Sequence, residues 1–318
     1  PPYHINGRFS ESSSFIAESD ESDGSFLLLN PSHIIFNNLE PEHLHFYKTA
    51  DNLFQAFSTL LQQSFNNKAK TVINVDDPNL VSLIKKIDYK NYVSFSIDQL
   101  DSDFTARNID FKSEGSSFDL YEKNNFKGTI NLTLIGRHNI YNALAACSLA
   151  ITMGLSITSI QQGLSNFMGV KRRSQHIYTY HDIQLYDDYG HHPTEIEATL
   201  DGLKQSKKAP IICVFQPHRY SRVKEHMTAF HNAFNHADRV LITPIYSANE
   251  VNDDETLLET MITGIQKESS CDVTFFKSLD DIIHHLIKTI KGGDIVITMG
   301  AGDIYKVSNE LAIHYQNL

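Results

Sequence analysis

The chain has 318 residues, 41% hydrophobic and 20% charged, which suffices for two ordinary domain cores and is too apolar for a disordered chain. Its formal net charge of -11 argues against sequence-independent binding to nucleic acid or to an anionic membrane, since either polyanion would be repelled. No apolar run reaches membrane-span length, so no membrane insertion is expected, and the three separated cysteines, Cys147, Cys213 and Cys271, read as buried thiols of a reducing cytoplasm.

Pro1 to Gly7 starts without methionine and runs into a predicted strand, as expected of a chain that continues upstream. Ser14 to Ala17 is predicted as a strand ending in Glu18, Asp20, Glu21 and Asp23, and His33 to Leu39 as a strand ending in Glu40-Pro41-Glu42-His43-Leu44-His45. Leu53, Phe54, Phe57, Leu60, Leu61 and Phe65 recur at helical spacing, and the strand at 71–75 stops at Asp76-Asp77-Pro78. This is βαβ rhythm. From about Phe104 to Ile135 the runs become short and β-rich around the turn Lys123-Asn124-Asn125, which predicts an antiparallel excursion. Helices at 138–153 and 157–166 follow, and Gly169-Val170-Lys171-Arg172-Arg173 marks a junction between a domain at 1–170 and one at 171–318. Beyond it, strands near 183–188, 211–215, 238–243, 272–276 and 294–299 alternate with helices near 194–206, 222–235, 254–268, 279–290 and 303–315. That alternation predicts an α/β fold with a mostly parallel sheet covered on both faces.

The chemistry-bearing residues gather at predicted strand ends. Asp187-Asp188-Tyr189-Gly190-His191-His192-Pro193-Thr194-Glu195 lies where a strand hands over to a helix, with Gly190 expected to permit the turn and Pro193 and Glu195 suited to a first helical turn. Gln216-Pro217-His218-Arg219-Tyr220-Ser221-Arg222 follows the next strand, and Met299-Gly300-Ala301-Gly302-Asp303 the last. In open α/β sheets that edge is where ligands bind. Arg219 and Arg222, three apart, are expected to fork onto one carboxylate. The acids at 18–23 and the group Glu42-His43 would each pass alone for a solvated loop; two such clusters at neighbouring strand ends point to a divalent cation, Mg²⁺ or Mn²⁺, beside a phosphate. Asn139 and Asn142 share a helix face and offer the donor and acceptor pattern of an adenine edge, although Asn139 also suits a helix cap.

The segments A-E-S-D-E-S-D-G-S-F, N-N-L-E-P-E-H, G-R-H-N-I-Y-N-A, G-V-K-R-R, D-D-Y-G-H-H-P-T-E, F-Q-P-H-R-Y-S-R and M-G-A-G-D together resemble the Mur ligases, in family order from end to end of the chain. The resemblance implies a partial central ATPase domain followed by a Rossmann-like C-terminal domain. It also implies ATP and Mg²⁺ (or Mn²⁺) as cofactors and UDP-N-acetylmuramate and L-alanine as substrates, with a tripeptide-recycling ligase and a metal-dependent phosphohydrolase as rival readings. By the same resemblance, Glu18 and His43 would ligate metal, Asn139 and Asn142 would hold adenine, Arg173 the phosphates and Asp188 the ribose. Tyr189, His191, His218, Arg219 and Arg222 would surround the incoming amino acid, with His191 and Arg219 in the catalytic positions.

Three departures stand out. Glu42 and His45 replace the family's usual aspartates, and Ser174 follows the paired arginines where an aromatic is common. The sequence holds no Gly-Lys dipeptide and so lacks the G-x-x-x-x-G-K-[ST] phosphate loop, and the family's UDP-binding domain has no counterpart. A chain without that loop is expected neither to form the amide nor to hydrolyse ATP appreciably.

Overall fold

The computed structural model describes residues 11 and 14–318; the strand expected at Pro1 to Gly7 lies outside the described residues. Two six-stranded sheets make up the fold. The first runs in spatial order β1 (His33–Phe36), β2 (Lys70–Asn74), β3 (Val93–Ser96), β4 (Phe104–Lys112), β5 (Gly115–Glu122) and β6 (Asn125–Leu132). Pairing is parallel from β1 to β4 and antiparallel from β4 to β6, as the change of rhythm near Phe104 predicts. Lys123 and Asn124 turn β5 into β6 with φ of 45° and 66°, the left-handed pair that a two-residue hairpin favours.

Around this sheet pack α1 (Leu44–Tyr47), α2 (Ala50–Asn66), α3 (Pro78–Lys86), α4 (Arg137–Thr152) and α5 (Ile157–Ser165). Thr49 caps α2 by accepting from the Asn52 amide, and its apolar stripe buries Leu53, Leu60 and Leu61. Asp77 caps α3 in the same way, with Pro78 at its first position. The helix α1, α3 and the strand β3 are absent from the sequence reading, each being short and only partly apolar. Ser14 to Ala17, expected as a strand, is not one: β1 pairs only with β2, and Phe15 and Ile16 stand 92% and 93% exposed with no ladder partner among the described residues.

The second sheet is ordered β11 (Asp272–Phe275), β10 (Arg239–Ile242), β9 (Ile211–Phe215), β12 (Ile295–Met299), β8 (Ile183–Asp188), β7 (Gln175–Tyr180), parallel except for β7. Its central strands read as unbroken apolar runs because both faces are covered. Ile211, Cys213, Phe215, Val240, Ile297 and Met299 enter one core, and Ile212, Val214, Leu241 and Val296 enter the other. The first core is roofed by α6 (Pro193–Lys207), α8 (Met227–Asn232) and α9 (Leu257–Glu268), the second by α10 (Leu279–Thr289) and α11 (Tyr305–Gln316). The helix expected at 222–235 is split into α7 (Tyr220–Glu225) and α8. His226 leaves helical geometry at φ -110° and ψ 20°, its ring edge-on to His192 at a centroid distance of 4.4 Å.

The two sheets are joined by close packing as well as by the chain. Ile135, just before α4, belongs to the first C-terminal core, and α6 lies against α4 and β4. A Cβ on Gly202 of α6 would stand 2.8 Å from the Gly136 Cα, and Gly136 itself has a φ of 94°. Backbone meets backbone there. Gly202→Ala is therefore expected to force α6 away from α4 and to cost about 1–3 kcal/mol, the usual range for overpacking. Melting by circular dichroism reads the loss, and an unchanged midpoint would show that the junction yields freely.

Candidate active site

The carboxyl ends of β8, β9 and β12 converge as the motifs predict. Gly300 donates its amide to the Asp188 carbonyl at 3.2 Å, and Gln216 donates to the Met299 carbonyl at 3.0 Å. Asp188, 3% exposed, accepts the Ser174 amide at 2.6 Å through one oxygen and the Gly190 amide at 2.6 Å through the other. Burial pushes its carboxyl up to about 6, against those amides and the Arg173 charge, which favour the anion. Gly190 is needed for closeness and not for a left-handed turn: a Cβ there would sit 2.7 Å from the Asp188 carboxylate, and its φ is not positive.

The next turn starts α6 with a reciprocal cap. The His192 side chain accepts the Thr194 amide, while Glu195 accepts the His191 and His192 amides at 3.0 and 3.2 Å. Glu195 also takes Arg173 at 3.1 Å. Burial opposes its charge, but His191, these amides and Arg173 hold its carboxyl below the usual range. Arg173 thus sits at the junction, half exposed, with its guanidinium near the Tyr189 ring.

Arg172 is the residue the sequence reading underrates. Its Nε donates to Asp187 at 2.9 Å and its terminal nitrogens to the Gly300 and Gly302 carbonyls at 2.5 and 3.3 Å. The guanidinium faces Tyr189 at 5.0 Å and Tyr305 at 4.9 Å. Asp187, 2% exposed, takes its remaining bond from the Thr298 hydroxyl at 2.6 Å. One arginine so ties the junction, the end of β8 and the turn after β12.

After β9, Arg219 caps α7 with a φ of 70° and donates its amide to Tyr246 at 2.9 Å, while its buried Nε has no hydrogen-bond partner. His218 stacks on Tyr246 at 5.5 Å and stands 5.7 Å from the His191 ring. Arg222, expected to join Arg219, turns instead toward the first domain: it donates to Glu42 at 3.0 Å. Arg219 stands outside the helix as its cap while Arg222 lies within it, and the charges of both act on His218.

On the first domain's side, Glu42 and His43 precede α1. His43 Nε2 lies 3.5 Å from Glu21 and 3.9 Å from Glu42, and ligand atoms of these three residues fall within 4.8 Å of one another. Two carboxylates and an imidazole fit Mg²⁺ or Mn²⁺. Where the sequence reading pairs Glu18 with His43, the structure brings Glu21 to that place, since the Tyr47 hydroxyl donates to the Glu21 carbonyl at 2.5 Å and anchors the loop there. Glu18 is exposed and its charge acts on Arg173. Asp20 and Asp23 close local turns on the Ser22 and Ser25 amides. Glu40 crosses to the second domain, accepting from the Thr194 hydroxyl at 2.9 Å beside His192 at 3.8 Å. Asn142 accepts from Asn37 at 3.3 Å and Asn139 donates to the Ile135 carbonyl at 2.8 Å, which leaves an amide hydrogen pair on Asn142 and the carbonyl of Asn139.

Burial lowers His218 to about 4, helped by His191 and two arginines, and burial beside His192 lowers His226 to about 4. Both folded values lie below the unfolded 6.5, so the stability these rings contribute is complete above pH 6.5 and is lost as pH falls toward 4. Asp188, raised from 3.8 to about 6, acts in the opposite sense: its contribution is present below pH 3.8 and lost as pH rises through 6. Replacing His218 and His226 together by glutamine is expected to flatten or reverse the acid-side fall in melting temperature between pH 6.5 and 4. A double variant with the parent's slope would exclude these two rings as the source.

The arrangement defines a class: an α/β protein of two sheets in which a carboxylate and imidazole group beside one sheet meets an arginine beside the other. The comparisons identify the family. Residues 9–150 match the Mur ligase middle domain and residues 172–302 the Mur ligase glutamate ligase domain, and the chain belongs to the Mur ligase family. It is 35% identical over 306 residues to the UDP-N-acetylmuramate--L-alanine ligase of Pelotomaculum thermopropionicum, covering 96% of this chain and 66% of that protein. The crystal structure of UDP-N-acetylmuramate-alanine ligase from Thermotoga maritima superposes with a TM-score of 0.74 at 23% identity, covering 94% of this chain and 63% of that one. MurF ligase from Thermotoga maritima in complex with ADP shares the fold at a TM-score of 0.71 and 16% identity, covering 92% of this chain and 65% of that one. The chain spans just under two thirds of the length of the relatives it matches.

Proposed function

We propose that this chain supplies the nucleotide-side and acceptor-side residues of an ATP-dependent amide ligase that joins L-alanine to UDP-N-acetylmuramate through an acyl phosphate. The observation that carries the reading is the Glu42–Arg222 bond at 3.0 Å, which ties the group Glu21, Glu42 and His43 to Arg222 and, beside it, His218 and His191. The reading divides the chain into residues 1–170 and 171–318, a boundary in the connection between α5 and β7.

Phosphoryl transfer to a carboxylate gathers anions, which cations must offset. Glu21, Glu42 and His43, with Glu18 from the same acidic run, would hold Mg²⁺ or Mn²⁺, which would supply that offset when bound. Arg173 adds a fixed positive charge beside the phosphates. Asn139 and Asn142 keep a free carbonyl and a free amide for adenine. Asp188 serves the ribose side chiefly by closing the turn that presents Tyr189. Arg219 would take the acceptor's carboxylate, with Tyr189 and His218 beside it. His191, held neutral by burial and then by the Arg222 charge, would accept a proton from the alanine ammonium as the amine approaches the acyl carbon. Free, buried Cys147, Cys213 and Cys271 suit the reducing cytoplasm in which ATP and the sugar nucleotide are found.

The test is amide formation in a protein that also carries the phosphate loop, with labelled L-alanine against a tripeptide as acceptor. Incorporation of alanine is expected. Preference for the tripeptide would select the recycling ligase, and phosphate release that needs no amino acid would select a hydrolase.

A further inference from the structure

Glu42 faces both domains at once. One of its oxygens receives Arg222 from the second domain at 3.0 Å; the other stands 3.9 Å from His43 Nε2, inside the group that includes Glu21. The bridge is largely shielded from water, with the Arg222 side chain 11% and the Glu42 side chain 28% exposed. An ion pair so placed is screened little by salt, so a competitor for either partner changes the state of the other. Among the described residues, the Arg222 side chain's other hydrogen bonds are long ones to His218, at 3.3 Å to Nδ1 and 3.4 Å to the carbonyl oxygen.

We infer that Glu42 is a shared positioning residue that couples cation binding on the first domain to the availability of Arg222 on the second. With no cation, Glu42 holds Arg222 across the cleft. A divalent cation among Glu21, Glu42 and His43 draws the Glu42 carboxylate to itself, and Arg222 is released toward the acceptor's carboxylate. Only that last step rests on the proposed function. Because linkage is reciprocal, Arg222 must weaken cation binding by the same factor that the cation weakens the bridge.

Two measurements on the chain as it stands test this. Mn²⁺ affinity, read by electron paramagnetic resonance, should rise about fivefold or more in Arg222→Ala, and this gain should vanish when Arg222→Ala is made on Glu42→Gln. An equal gain in both backgrounds would mean that Arg222 acts only as a nearby charge, which overturns the shared role. The second measurement needs no variant: modification of Arg222 by phenylglyoxal, followed by mass spectrometry, should quicken about fivefold on adding Mn²⁺. Absence of Mn²⁺ binding, or an unchanged rate, also overturns the inference. L-alanine added with Mn²⁺ separates the two readings. If Mn²⁺ frees Arg222 and alanine does not protect it, the coupling stands and Arg222 is not an acceptor contact.

Discussion

Arg172→Ala is expected to destabilise the protein by about 3–5 kcal/mol, the cost of removing one partner of a buried ion pair. The reason is what stays behind. Asp187 is 2% exposed and would retain only the Thr298 hydroxyl, while the Gly300 and Gly302 carbonyls would lose their donors. Stability of a domain is about 5–15 kcal/mol, so this one change removes a large share of it. Arg172→Lys should recover part of the loss, because an ammonium restores the charge but cannot serve Asp187 and two carbonyls in the guanidinium's plane. Arg137→Ala is the control. Its ion pair with Asp98 joins a side chain 41% exposed to one 65% exposed, and such pairs contribute about 0–1 kcal/mol. Chemical denaturation monitored by circular dichroism gives both numbers. An Arg172→Ala loss no larger than that of Arg137→Ala would show that water reaches Asp187 and replaces the arginine.

The sequence made the convergence of Asp188, Arg219 and Gly300 visible, because three motifs each follow an apolar run and parallel strands end side by side. The cap on α6 was visible too, in Pro193 and Glu195, though its cap residue is a histidine and not one of the usual small polar residues. What lay hidden was what depends on the third dimension. Arg222 and Glu42 are 180 residues apart, and no local pattern links them. Local spacing suggested that Arg222 and Arg219 act together; it could not show that Arg219 has a positive φ or that Arg222 bonds Glu42. The strand β7 went unread because it is an edge strand with no regular alternation, its six residues only half buried or exposed. Glu21 and Glu18 look alike in an acid run, and the fold, with the Tyr47 bond to the loop, sets Glu21 3.5 Å from His43.

Arg219 is the guanidinium proposed for the acceptor's carboxylate, and its substitution should show in acceptor affinity. Its Nε is buried without a partner, a costly arrangement unless a ligand completes it, and Tyr246 and α7 fix the backbone from which it projects. A guanidinium grips a carboxylate through two parallel hydrogen bonds, whereas an ammonium offers a point charge, so Arg219→Lys is not conservative. Loss of a charged hydrogen bond costs about 1.5–3 kcal/mol, roughly tenfold to a hundredfold in affinity. In steady-state kinetics of a protein that also carries the phosphate loop, the KM for L-alanine should rise by that factor while those for ATP and the UDP-sugar hold. The fold of α7 is not at stake, since Glu250 fastens its first turn through Ser221 at 3.0 and 2.6 Å independently of the Arg219 side chain. A rise in the KM for ATP with the alanine KM unchanged would move Arg219 to the nucleotide side of the cleft, and the acceptor's carboxylate would then fall to Arg222 once Glu42 has let it go.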